Sequence, residues 1–166
     1  MLQPMRISIG GYQIKDVSVY IFVQTHIQKG DLSPIEYINA EKRAEEMVKM
    51  FSEDLKIETE KIKVCKNLSK PEILSLIDTL VNEAKQFKQD HKNDSHSVKS
   101  IFFSWVGFCL KDQFHPYMKK FDIDRRQFPC EFQLTVSGEP INMSQHMMRL
   151  ILESKTNVFL FQDNQA

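Results

Sequence analysis

A chain of 166 residues with 42% apolar and 27% charged residues can build one domain around its own core, and is not disordered. Its 22 Lys and Arg balance 22 Asp and Glu, so no bulk positive field directs it to nucleic acid. The longest uncharged apolar run, Ile101 to Leu110, is too short to cross a bilayer, and no N-terminal apolar segment leads to a cleavage site.

Asp16 to Thr25 predicts a buried strand, because Val17, Val19, Tyr20, Ile21, Phe22 and Val23 form a β-branched and aromatic run. Loop residues from Gln28 to Pro34 break it. A helix is predicted from about Ile35 to Asp54, where Ala40, Ala44, Met47, Val48 and Phe51 recur at three- and four-residue steps. Lys61 to Leu68 predicts a second, short strand. Ser69 and Glu72 have the spacing of a capping box with Pro71 in the first turn, and the stripe from Ile73 to Phe87 continues as a helix. Gln89 to Ser97 reads as a polar loop, and Ser100 to Leu110 as a strand covered on both faces. Lys111 to Glu131, with Pro116 and Pro129, reads as an insertion at a strand end. Phe132 to Val136 predicts a small strand turning at Ser137–Gly138. Asn142 is placed to cap a third helix through about Leu152, and Asn157 to Gln162 predicts a fourth buried strand.

Apolar strands alternating with amphipathic helices imply a single α/β domain over residues 1–166: a three-layer sandwich around a mainly parallel sheet. Sites on such sheets lie beyond the carboxyl ends of the strands. The segments to search are Thr25–His26, Ser104–Phe108 and Gln162–Ala166.

Few residues there suit catalysis. Cys65, Cys109 and Cys130 are an odd number without a CxxC pair and read as reduced thiols of an intracellular protein. Cys109 and His115 are close in sequence, but a Cys ending an apolar strand is ordinarily packed filler. His91 and His96 flank a polar loop without metal-ligand spacing, so no metal is expected. Asp163 and Asn164 read as a capped strand end. Met143, Met147 and Met148 read as a core-facing stripe, and Lys119 to Arg126 as a solvated or partner-facing run. Gly10–Gly11 lacks the spacing and Lys of a phosphate loop, and no cofactor is expected.

Five segments together resemble the caspase large subunit over about Val17 to Ala166. They are Ala40-Glu41-Lys42-Arg43-Ala44, Lys66-Asn67-Leu68-Ser69, Ser104-Trp105, Gly138-Glu139-Pro140-Ile141 and Gln162-Asp163-Asn164. The caspase nucleophile follows a Gln by two residues, in the pattern Q-A-C. The resemblance therefore implies a caspase-like fold in which Gln162 matches a substrate-pocket Gln and Asn164 stands where the Cys belongs. Trp105 stands where caspases carry the catalytic His, and Gln28 to Ile38 contains no pocket Arg. An amide is no nucleophile and an indole no base, so the resemblance implies a pseudo-protease rather than an enzyme. Trp105 reads as a large apolar filler of the former cleft.

Caspases continue into a small subunit whose strands extend the sheet beside the strand matching Asn157–Gln162; that half is expected to be missing. Val158, Phe159, Leu160 and Phe161 would then form a bare apolar edge, and a protein partner, small-subunit-like or other, is expected to cover it. The reading is a non-catalytic structural subunit of a larger assembly. The alternatives are a regulatory pseudo-caspase paired with an active protease, and an enzyme of another class on the same scaffold. Met1 to Gln13 has one Arg and no acid, like an import sequence, but is short and holds Pro and paired Gly. Cytoplasmic, ciliary and mitochondrial sites all fit.

Overall fold

The structure is a computed structural model that describes residues 8–9, 12–94, 97–110, 132–154 and 156–165. The expected insertion at 111–131 lies outside the described residues, with His115, Cys130 and the run Lys119 to Arg126; so does His96. In chain order the elements are β1 Ser8–Ile9, β2 Tyr12–Val23, β3 His26–Ile27, β4 Ile35–Glu36, α1 Ala40–Lys49, β5 Ile62–Lys66, α2 Lys70–Asp90, β6 Ser97–Leu110, β7 Phe132–Leu134, β8 Pro140–Ile141, α3 Met143–Ser154 and β9 Asn157–Gln165.

The four long strands lie side by side as β5-β2-β6-β9, and every pairing among them is parallel. Each is joined to the next by a helix or a longer connection, as parallel neighbours require. Past the end of β2, β7 takes its place against β6, antiparallel, and β8 pairs with β7. β1 pairs antiparallel with the start of β2. The chain is thus a mixed α/β fold on a mostly parallel sheet.

The second helix forms as its sequence dictates. Ser69 N donates to Glu72 Oε2 at 2.8 Å and Glu72 N donates to Ser69 Oγ at 3.4 Å, closing the capping box. Asn142 also caps as expected, its Oδ1 accepting from Gln145 N at 3.0 Å, and α3 runs two residues further, to Ser154. The first helix differs. It begins at Ala40 rather than Ile35, because Ile35–Glu36 pairs antiparallel with His26–Ile27 and Asn39 adopts a left-handed φ of 65°. It also ends at Lys49 as an α-helix and continues to Asp54 as a π-helical turn.

Alternate side chains of the strands feed two cores, one on each face. On one face Val19, Ile21, Phe102, Val106 and Phe108 meet Ala40, Ala44 and Phe51. On the other, Tyr20, Phe22, Ile101, Phe103 and Trp105 meet Ile73, Ile77 and Leu80 of α2 and Met143, Met147 and Leu150 of α3. Met148 does not join its neighbours in this stripe: it is 51% exposed, since one residue of helical rotation carries it off the sheet-facing side. Arg149 instead ties α3 to α2 through Asp78, at 2.5 Å.

Candidate functional site

Trp105 and Gln162, singled out by the resemblance, do not end their strands. β6 runs five residues past Trp105 to Leu110, and β9 runs past Gln162 to Gln165. Asp163, Asn164 and Gln165 pair with Val106, Gly107 and Phe108, so the polar end of β9 is ladder rather than cap. Trp105 faces Gln162 in register and Phe22 on its other side. The side chain of Asn164 lies outside the described ones; its backbone sits opposite Gly107.

Trp105 is completely buried, its ring 5.9 Å from that of Phe22, and its Nε1 donates to the Phe108 carbonyl at 3.2 Å. The only hydrogen-bond donor of the indole is thus spent on the backbone, and the ring packs within the core. Next to it Gln24, which continues the β2 ladder by donating its N–H to the Val106 carbonyl at 2.8 Å, lies across Gly107. A Cβ on Gly107 would stand 3.0 Å from Gln24 Cβ and 3.1 Å from Trp105 Nε1, tighter than ordinary contact, so an added methyl would require these neighbours to give by a few tenths of an ångström. Gln24 Oε1 is buried and has no partner among the described residues. The resemblance to caspases singled out Trp105 but neither Gln24 nor Gly107, because their contact is made across strands.

At the ends of β2 and β5 a polar knot forms that only its first two residues announced in the sequence. Thr25 N donates to Asn67 Oδ1 at 2.9 Å, and Asn67 Nδ2 donates to Thr25 Oγ1 at 2.9 Å. Asn67 holds a left-handed φ of 53° and donates its own N–H to Val23 O at 2.7 Å. Thr25 Oγ1 also lies 3.0 Å from His26 Nδ1. A hydroxyl within reach of an imidazole is the beginning of a nucleophile–base pair. Here Asn67 engages both the main chain and the hydroxyl of Thr25, so the knot cross-links the two strand ends. An open cavity of about 590 Å³ beside it is lined by Thr25, His26, Gln28, Pro34, Glu36, Tyr37 and Ile38.

The remaining candidates among the described residues, His91 and Cys109, do not come together. His91 stacks on Phe87, rings 4.1 Å apart, with Nδ1 2.9 Å from the Phe87 carbonyl oxygen. It precedes β6, whereas Cys109 is buried near the far end of that strand; the twelve steps from Ser97 to Cys109 span about 40 Å. Among the described residues no three His, Cys, Asp or Glu side chains cluster as a metal ion requires. No helix among them is long and apolar enough to cross a membrane. A cavity of about 980 Å³ lies at the amino ends of β6 and β9, opposite the expected site. Its Lys99 is almost fully buried and pairs with Asp16 at 2.5 Å, and its Lys85 pairs with Glu153 at 3.7 Å.

Among the described residues β9 pairs only with β6. Val158 and Leu160 are half-buried against the core under α2 and α3. Phe159 and Phe161, on the other face, remain 40% and 41% exposed. They stack on Phe102 with ring centroids 4.9 and 6.1 Å away, and α1 lies over β2 and β6. No protein-family model matches the chain, and no curated protein matches it.

Proposed function

We propose that this chain is a non-catalytic, caspase-like subunit whose role is to build a protein assembly, with β9 as the strand that its partner covers. The observation that carries this reading is the contrast between the two outer strands of the parallel sheet. β5, at one side, has Lys63 and Lys66 within its five residues and Lys61 just before them. Lysines on an edge strand are the ordinary defence against unwanted pairing. β9 spans nine residues with Asp163 as its only charge, and it leaves two phenylalanines exposed. One edge is defended and the other is not.

Two features support the absence of peptidase chemistry in this reading. Trp105 is buried with its indole N–H bonded to Phe108 O, and the strand positions that would flank a cleft are paired into the ladder. The deciding experiment is affinity isolation of the chain with identification of stoichiometric partners, followed by hydrogen exchange on residues 157–165. Slower exchange of these amides in the complex than in the free chain supports the reading. Unchanged exchange in every isolated complex would overturn it.

A further inference from the structure

The charges at the amino ends of β6 and β9 do not balance. The cavity there, about 980 Å³, is lined by Lys85, Lys88 and Lys92 around the end of α2 and by Lys99 of β6, with Glu153 and Asp94 as the acids of the lining. Both acids are already engaged. Glu153 pairs with Arg149 at 3.2 Å and with Lys85 at 3.7 Å, and Asp94 accepts from Ser97 Oγ. Asp16 serves two lysines at once, Lys99 at 2.5 Å and Lys61 at 3.6 Å. Lys88 and Lys92, both exposed, meet no acid at ion-pair distance among the described residues. The dipole of α2 accounts for Lys88 in its last turn, but Lys92 lies beyond the helix and Lys99 stands on a strand.

Lys99 adds a second, independent sign. An ammonium carries three donors and is costly to bury. The Lys99 side chain is only 7% exposed, and its Nζ donates to Asp16 Oδ2 and stands 6.0 Å from the centre of the Phe87 ring. No second acceptor meets it among the described residues. The hydroxyls of Ser154 and Thr156 in the same lining are spent on each other, 2.9 Å apart. The rest of the surface is largely apolar, with Phe87, Val98 and Phe159. An apolar cavity of this size with a few charged groups has the form of a small-molecule site. We propose that it binds a small amphipathic anion, a carboxylate or phosphate head on an apolar body. The head answers the surplus of lysines, and the body covers apolar walls that otherwise face water. A cation would meet only acids that already hold partners.

The test is titration of the purified full chain, followed by amide NMR shifts, with decanoate and decyl phosphate below their micelle concentrations. Saturable shifts are expected at residues 85–94 and 97–99, and the tighter of the two probes names the head. Decyltrimethylammonium, with the opposite charge, and inorganic phosphate, without a tail, should each bind about tenfold more weakly or less. Lys88→Glu with Lys92→Glu, both at exposed positions, should raise the dissociation constant by about tenfold or more while circular dichroism stays unchanged. Lys42→Glu with Lys49→Glu, the same change of charge on α1, should leave it as it was. Equal binding of decyltrimethylammonium overturns the anionic head, and equal binding of inorganic phosphate overturns the apolar body. Shifts centred elsewhere, or binding indifferent to the change at Lys88 and Lys92, overturn the site.

Discussion

Phe159 of β9 lies flat on Phe102 of β6, ring centroids 4.9 Å apart and planes 16° apart, yet its outer side faces water. The stack is half of a core layer: Phe102 is buried beneath Phe51, while nothing among the described residues completes the cover on Phe159. That inequality separates the side chain that holds the fold from the one that stays open to water. Leu160, on the opposite face, packs against the interior under α2 and α3. Leu160→Lys should cost about 2–4 kcal/mol of folding stability, because it forces a charge toward that core. Phe159→Lys should cost under about 1.5 kcal/mol, since much of the ring is already hydrated. Urea denaturation of the two variants checks the order; equal losses would mean that both faces of β9 serve the core alike.

Introducing a His and a Cys at positions 105 and 164 should not create an enzyme. Trp105→His with Asn164→Cys is expected to give no turnover on peptides cut after Asp, Arg or Lys. The imidazole would enter a site that now buries an indole, leaving a cavity and a polar ring without the Phe108 carbonyl as a matched partner. The loss of stability should be about 3–5 kcal/mol, as for other large buried truncations. Peptidase assay alongside thermal unfolding reads both outcomes.

Gly107→Ala should destabilise the protein by about 1–3 kcal/mol, since the new methyl would sit inside the contact distance of Gln24 and Trp105. The cost should fall when Gln24 is also changed to Gly, because two of the three close atoms, Cβ and Cγ, belong to that side chain. A double-mutant cycle measures the difference; strict additivity would show that the strain comes from elsewhere.

Acid stability should depend on Asp16. Burial pushes its carboxyl up, but Lys99 and Lys61 together outweigh this and hold it below its ordinary value of 3.8. A folded value below the unfolded one means that the native state holds fewer protons. The stabilisation is therefore complete above pH 3.8 and is lost as pH falls through the lowered folded value. Asp16→Asn should remove this component of the pH dependence. It should also cost about 2–3 kcal/mol at neutral pH, less than for a fully buried pair because Asp16 is partly solvated while Lys99 is not. Chemical denaturation at a series of pH values checks both.

A second pH component should come from His146. Burial lowers its pKa, and Arg149 and Lys70 lower it further against an opposing Asp78. The unfolded chain then binds a proton that the native state resists, so stability should fall as pH drops below the ordinary value of 6.5. His146→Gln should flatten the profile between neutrality and the folded value, measured by the same denaturation series.

The amino-acid order by itself determined the elements whose signals are local. Ser69, Pro71 and Glu72 close a capping box whatever lies beyond them, because its bonds span three residues. Asn142 caps α3 for the same reason, and the runs around Val19 and Phe103 are too apolar to lie anywhere but between two layers. Tertiary structure decided what depends on a neighbour distant in sequence. Ile35–Glu36 left the helical pattern to pair with β3, and Asp163 to Gln165 became strand because Val106 to Phe108 offered them a ladder. The ion pair of Asp16 and Lys99 joins residues 83 apart, and the contact of Gln24 with Gly107 joins two strands. Alternation made Val158 to Phe161 look buried on both faces, yet only one face is substantially covered. Periodicity tells which side chains share a face; where the helices lie over that face decides whether water reaches it.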